Sequence, residues 1–95
     1  METVYALLIE AEADQGNEYP EGERRPVLVL VPARSPEEAC SQAVIALADK
    51  RWKHGQVQQI ERFAVPLASV EDPVMREAAE KAFSGNRAII VYERV

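Results

Sequence analysis

His54 and Cys40 are the side chains of this 95-residue chain best suited to catalysis, and each is the single residue of its type. An imidazole can serve as a general base and a thiolate as a nucleophile. His54, however, follows Lys53 where a helix is predicted to end, and the helix dipole stabilises a cation there without any chemistry. Cys40 falls on an apolar helical stripe, which is typical of a buried structural thiol. The sequence therefore predicts no catalytic residue and favours a protein that is not an enzyme.

Three carboxylates, Glu10, Glu12 and Asp14, recur at a spacing of two residues. On a strand they project from one face about 7 Å apart. A hard cation needs several oxygen ligands that converge on one point, whereas a straight row spreads them. We therefore predict no metal site, and we expect the row to pair with cations on neighbouring strands. The candidate cations are Arg25, Arg62 and Arg94.

The acidic residues are concentrated near the start of the chain. Before Arg24 there are seven of the 16 acidic residues and no lysine or arginine, and the remaining nine face 11 basic residues. Residues 14–24 also contain two glycines and a proline, which predicts a long, mobile hairpin loop. Such a loop either docks on a basic partner or keeps the protein soluble, and the second interpretation is favoured.

The overall charge excludes some classes of partner. A net charge of −5 and an isoelectric point of about 4.9 argue against nucleic acid and against an anionic membrane, since both attract a basic surface. The lone cysteine, the lack of a basic-then-apolar leader and the shortness of the apolar runs predict a cytoplasmic protein. The four glycines are scattered and form no phosphate-binding loop, so no cofactor is expected.

Four segments have the composition of strands. Strand formers and strict alternation predict a first strand over Thr3–Ala13. The β-branched run at 26–32 predicts a second strand that is buried on both faces. Residues 57–65 predict a third strand, and its polar character favours an edge position. Residues 88–92 predict a fourth strand, again apolar on both faces.

Two segments have the signals of helices. The first is predicted to begin at Ser35, with a proline in its first turn and Glu38 completing a capping box. A run of cations and then Gly55 predicts its end. Asp72 and the following proline begin the second helix, and residues 84–86 end it. The predicted buried stripes are Ala39, Cys40, Ala43, Val44, Leu47 and Ala48 in the first helix, and Met75, Ala78, Ala79, Ala82 and Phe83 in the second.

The order of elements is therefore β-β-α-β-α-β, in one α+β domain over residues 1–95. The hairpin makes the first two strands antiparallel. Each strand–helix–strand crossover is expected to be right-handed and to set its two strands parallel. Both helices then lie on one face of a mixed four-stranded sheet, which gives a two-layer sandwich.

The junction between the second strand and the first helix, Ala-Arg-Ser-Pro-Glu-Glu-Ala at 33–39, resembles the equivalent junction of many small α+β domains. HicB-like antitoxins are among them. The resemblance covers less than a tenth of the chain, and the remainder departs from the antitoxin pattern because one hairpin is followed by two crossovers. It implies an antitoxin-type or immunity-type partner protein as an alternative function.

Interaction is the function favoured by the sequence. If both helices cover one face of the sheet, the other face needs a cover, and the outer side of the first strand is apolar before it becomes acidic. We predict an interaction module, with a homodimer formed through the sheet face or an adjoining edge and a further protein partner as a second option. A ligand-binding regulatory domain and a small enzyme using loop carboxylates or His54 are the alternatives. The candidate interaction residues are Val4, Leu8, Trp52 and Tyr92.

Overall fold

The computed structural model describes residues 2–93 of the chain. The elements follow the order β-β-α-β-α-β, and the predicted α+β class is confirmed. Their bounds are β1 (Thr3–Ala13), β2 (Arg24–Ala33), α1 (Pro36–Asp49), β3 (Trp52–Arg62), α2 (Pro73–Phe83) and β4 (Ala88–Val91), with a short 3-10 helix over Leu67–Ser69 between β3 and α2.

The four strands form one sheet in the order β3-β1-β2-β4, with β3 at an edge as predicted. Each hydrogen-bonded pair is antiparallel, so the sheet is not the mixed one expected from the sequence. β2 and β3 are both antiparallel to β1 and therefore run in the same direction, as the first crossover requires. β4 pairs antiparallel with β2 and therefore runs against β3, and the second connection crosses the whole sheet from one edge to the other. The rule for parallel crossovers does not apply to it.

The two helices lie on opposite faces of the sheet, which corrects the two-layer prediction. α1 packs on the face formed by odd-numbered residues of β1 and β2, such as Leu7 and Val29. α2 packs on the even-numbered residues, such as Val4 and Leu30. The architecture is therefore helix, sheet, helix. Since β3 and β4 are antiparallel, no handedness preference holds α2 on the face that α1 already covers.

α1 begins where the sequence predicts but ends earlier. The Glu38 N–H donates to Ser35 Oγ at 3.1 Å, as expected of an N-cap. The helix stops at Asp49, and Arg51 turns the chain with a φ of 63°. Trp52 then starts β3 opposite Ala13, so His54 lies in a strand and Gly55 is not the helix stop. The stripe is also rotated: the buried residues are Ala39, Ala43, Ala46 and Leu47.

α2 has both of its predicted ends. The Val74 N–H donates to Asp72 Oδ1 at 2.9 Å, and Gly85 leaves the helix with a φ of 95°. Its buried residues are the three alanines at 78, 79 and 82, which let the helix approach the sheet closely. Phe83 is 51% exposed, contrary to its predicted place in the core, and its ring centroid lies 6.1 Å from that of Phe63 at the rim. Among residues 2–93, neither α1 nor α2 has the length and apolar character needed to cross a membrane.

Candidate interaction surface

The four residues predicted to mediate interaction are divided between core and surface. Val4 is 5% exposed beneath α2, and Trp52 is 4% exposed in the core under α1. Leu8 and Tyr92 come together on the α2 face, where they line a shallow pocket of about 210 Å³ with Leu28 as a neighbour. Partial burial, and next the nearby Asp72 carboxylate, raise the pKa of the Tyr92 hydroxyl. The monomer therefore presents only Leu8 and Tyr92 of the four at its surface.

The row of carboxylates is neutralised by cations on both neighbouring strands. Arg24 lies 3.7 Å from Glu10 and 3.6 Å from Glu12, and Lys53 lies 3.8 Å from Glu12 and 3.4 Å from Asp14. Cross-strand pairing is as predicted, but the cations differ from those named. Register explains the difference, because Glu12 pairs with Arg24 on one side and with Lys53 on the other.

The three arginines predicted as partners of the carboxylate row lie elsewhere. Arg25 is opposite Ala11 and Arg62 is opposite Tyr5, and both of these positions face α1. Arg94 lies outside the described residues. Because successive side chains of a strand point to opposite faces, a cation displaced by one residue cannot reach the row.

Asp14 ends the row and is held in its charged form. The Gln15 N–H donates to Asp14 Oδ1 at 2.8 Å, and the Lys53 ammonium lies on the same carboxyl oxygen. The hydrogen bond from Gln15, with a smaller contribution from Lys53, lowers the pKa of Asp14 below its ordinary value. Since cations already occupy the row, the geometry is that of a structural network rather than of a vacant cation site.

The acidic loop at 14–24 is folded back onto the end of α1. Asn17 Nδ2 donates to the carbonyl oxygens of Lys50 at 3.2 Å and of Arg51 at 2.8 Å. The Tyr19 ring packs 5.7 Å from the Trp52 ring, and the Arg25 guanidinium lies 4.1 Å above the Tyr19 ring. These contacts tie the loop to the α1 side of the sheet and oppose the mobility that its glycines predict.

Arg25 is itself fixed by a second partner. Its Nε donates to Glu23 Oε2, and this charge-assisted bond raises the pKa of the Arg25 guanidinium. The loop therefore keeps Glu18 and Glu21 in solvent while Tyr19 and Arg25 are held against the core. The exposed acidic side chains of the loop fit both interpretations of it, docking on a basic partner and keeping the protein soluble.

A second apolar cleft, which the sequence pattern does not predict, lies between α1 and β3. It has a volume of about 300 Å³, and Leu47 and Ile9 form its floor. Val44 on the helix is 65% exposed and Val57 on the strand is 47% exposed. We call it the α1–β3 cleft. The sequence signal for this cleft is the valine at position 44, although helical spacing predicts that residue in the buried stripe.

Cys40 and His54, the two residues considered for catalysis, both line the α1–β3 cleft. Cys40 is half-buried on the flank of α1, and His54 is exposed in β3 with a φ of 52°. Neither side chain makes a hydrogen bond in the described chain, although a nucleophile and its base need one between them. The cleft is therefore an apolar surface with two polarisable groups on its wall.

Gly55 allows the strand to close on the floor of the cleft. A Cβ built at this position would lie 3.0 Å from Ile9 Cγ2 and 3.1 Å from Leu47 Cδ1. These distances are tighter than ordinary van der Waals contact, so any side chain here would displace one of the two core residues. A glycine at 55 is needed for close packing, rather than for ending a helix.

The cleft borders the free edge of β3. Within residues 2–93, β3 ends the sheet, so one side of its backbone pairs with β1 and the other faces solvent. Its central residues, 55–60, contain no charged side chain, whereas exposed edges are usually protected by charge, proline or shortness. The opposite edge strand, β4, has only four residues. β3 is thus the long edge of this sheet, and its central residues carry no charge.

Neither the arrangement of the described side chains nor comparison with known proteins identifies a ligand or a relative. Within residues 2–93, no group of three or more histidine, cysteine, aspartate or glutamate side chains is arranged to hold a metal ion. No protein-family model, curated protein or solved structure matches this chain.

Proposed function

We propose that this protein is an interaction module that binds an extended segment of a protein partner along β3. The observation that supports this proposal is the position of the α1–β3 cleft directly beside the long edge of β3, whose central residues 55–60 carry no charge. Backbone groups on the edge provide hydrogen bonds, and the cleft provides a place for a side chain of the added strand.

This arrangement matches a common mode of peptide recognition. When an extended segment joins a sheet edge, main-chain hydrogen bonds supply affinity and pockets for alternate side chains supply specificity. The α1–β3 cleft is lined mainly by apolar groups, so it would accept an aliphatic or aromatic side chain. Val44 and Val57, both largely exposed in the monomer, would become buried. Their removal from water would contribute to binding.

A photo-crosslinking amino acid at position 57 tests the proposal in the native cell. Val65 is the matched control, since it is 46% exposed compared with 47% for Val57 and lies outside the cleft. We expect discrete cross-linked species from position 57 and only background from position 65. Equal labelling at both positions, or none at either, would contradict a docking surface on β3.

The mass of the cross-linked species identifies the class of partner. A species of twice the monomer mass indicates self-association, and a discrete species of another mass indicates a different protein, as expected for an antitoxin-type or immunity-type protein. Adding Val44→Lys to the probe at position 57 should reduce either species, because a charge would then enter the apolar wall. Unchanged labelling would show that the partner binds the edge of β3 without using the α1–β3 cleft.

The volume of the cleft supports a small apolar ligand as a second candidate. A cavity of about 300 Å³ is within the lower range of small-molecule sites. Indole is a suitable probe, and it should raise the melting temperature of the wild-type protein if it binds the cleft. The same addition should not raise that of Val44→Lys. A melting temperature that indole leaves unchanged in the wild type would discount this candidate.

A further inference from the structure

We propose that the strand added to β3 is β3 of a second copy of this chain, paired antiparallel about a two-fold axis at Val57. The inference rests on the proposed function, and it names the occupant of the same edge. An isologous contact requires the surface to be complementary to itself. The charges along β3 meet that requirement.

The register of β3 with β1 gives the position of each β3 side chain along the edge. Val57 is opposite Ile9, Lys53 is opposite Glu12, and Glu61 is opposite Ala6. Lys53 and Glu61 are therefore each three β1 positions from Val57, in opposite directions. The pairing of β3 with β1 is irregular once on each side of Val57. Lys53 and Glu61 therefore remain equally far from Val57 along the strand.

A two-fold axis at Val57 consequently places Lys53 of each copy opposite Glu61 of the other. Both side chains belong to the face that α2 covers, because their partners on β1 are even-numbered. Two opposite-charge pairs would form across the new strand pair, and such directly opposed pairs stabilise antiparallel strands. Between them, Gln56 of one copy lies opposite Gln59 of the other, since these residues pair with Glu10 and Leu8.

Other registers lose this complementarity. Shifting the second copy by one position places Lys53 opposite Arg62 or opposite Ile60, and it joins unlike faces of the two sheets. With the axis at Val57, the two sheets instead become one eight-stranded sheet that has both copies of α1 on the same face. Val57 and Val44 of the two copies then flank the axis, and the exposed apolar surface of each α1–β3 cleft is covered.

Sedimentation of the purified protein with charge-reversed variants tests the pairing. We expect the wild type to be a dimer at micromolar concentration. Glu61→Lys places two lysines across each pair, and Lys53→Glu places two glutamates there, so each variant alone should dissociate about tenfold more readily. An equimolar mixture of the two variants should recover the wild-type dissociation constant, because the glutamate introduced in one copy then meets the lysine introduced in the other.

Two controls keep the outcome independent of folding. Glu71→Lys makes the same charge change at an exposed position outside the strands and should leave the dimer unchanged. Lys53→Glu also disturbs the ion pairs with Glu12 and Asp14. If that variant fails to fold, Glu61→Lys mixed with wild type should give a mixed dimer of intermediate affinity, since one favourable pair remains.

The outcomes separate this inference from the proposed function. A wild-type protein that sediments as a monomer at micromolar concentration overturns the inference, and so does a dimer that is indifferent to both reversals and their mixture. A dimer that is lost in Leu8→Glu but kept in Glu61→Lys assigns the contact to the α2 face instead. In each case, heterologous cross-linking from position 57 would leave the proposed function standing.

Discussion

The two faces of the sheet differ in how completely they are covered, although the same strands form both. Of the six largest fully buried side chains in the described chain, five lie on the α1 face and only Leu30 lies on the α2 face. α1 has 14 residues and is joined by the folded-back loop, whereas α2 has 11 and buries mainly alanines. Apart from the α1–β3 cleft, the α1 face is a well-covered core, whereas the α2 face is half apolar and half charged.

Two adjacent leucines in β1 show the consequence of this unequal cover. Leu7 is fully buried under α1, and Leu8, its neighbour in the same strand, is half-buried in the shallow pocket on the α2 face. Their chemistry and their intrinsic strand preference are identical. They differ in the helix that lies above each face. The contribution of each leucine to the free energy of unfolding therefore depends on how completely that helix buries it.

The largest effect is expected from truncating that pair. Leu7→Ala removes a side chain with no solvent exposure and should lower the free energy of unfolding by about 3–4 kcal/mol, through lost burial and a residual cavity. Leu8→Ala, the matched variant on the other face, should cost about 1 kcal/mol. Urea denaturation at neutral pH measures both. Equal losses would mean that the two faces contribute equally to stability.

The closing of the α1 face by the loop can be tested at Tyr19. Tyr19→Ala removes the ring that packs on Trp52 and under Arg25, and it should cost about 2 kcal/mol. Tyr19→Phe keeps the ring and should cost less than about 0.5 kcal/mol. Amide exchange across residues 14–24 should accelerate only in the alanine variant. Fast exchange of this loop in the wild type would show that the contacts do not anchor it.

Phe83 tests how open the α2 face is at its rim. Because Phe83 is half-exposed and contacts Phe63, Phe83→Ala should cost about 1 kcal/mol rather than the roughly 3–5 kcal/mol of a core phenylalanine. Val74→Ala, at another exposed position on the same helix, should be close to neutral. Thermal unfolding of both variants measures the difference. A loss of stability as large as that of a core phenylalanine would show that α2 buries more of the sheet than its alanines indicate.

The smallest effect concerns acid titration at the charged end of the α2 face. The pKa of Asp14 is lowered in the folded state, so its contribution to stability is present above the unfolded value of about 3.9 and is lost as the pH falls through the folded pKa. Carboxyl carbon shifts in an NMR titration should place Asp14 below that value. Lys53→Met should raise the Asp14 pKa partway back, whereas Lys50→Met should not. Identical titrations in the two variants would exclude Lys53 as a cause.

Local patterns predicted the elements where local interactions decide them. Thr3–Ala13 is one strand as its alternation indicates, and the caps at Ser35 and Asp72 are in place. The reason is that capping hydrogen bonds and strand alternation depend on residues within a few positions of one another. The predicted end of α1 at Gly55 was wrong because Trp52 pairs opposite Ala13, a contact across 39 residues that no local pattern contains.

The candidate surface depended still more on distant contacts. Helical spacing predicts position 44 in the buried stripe of α1, and only the docking of the helix on the sheet shows that Val44 is exposed beside Val57. The carboxylate row was predicted to find cross-strand cations, but the register of β1 with its neighbours chose Arg24 and Lys53. A shift of one residue exchanges the faces of a strand, so the choice between Arg24 and Arg25 could not be made without the paired strands.

The α+β class, the order of elements, the helix starts and the polar character of β3 can be predicted from the sequence, because each follows from spacing and composition within a short stretch of chain. The face occupied by α2, the antiparallel direction of β4 and the cleft beside β3 are visible only once the elements are packed together. These features depend on where a connection crosses the sheet. Crossing direction is limited by handedness only for parallel strands, so the second connection could be placed only by the packing of the whole molecule.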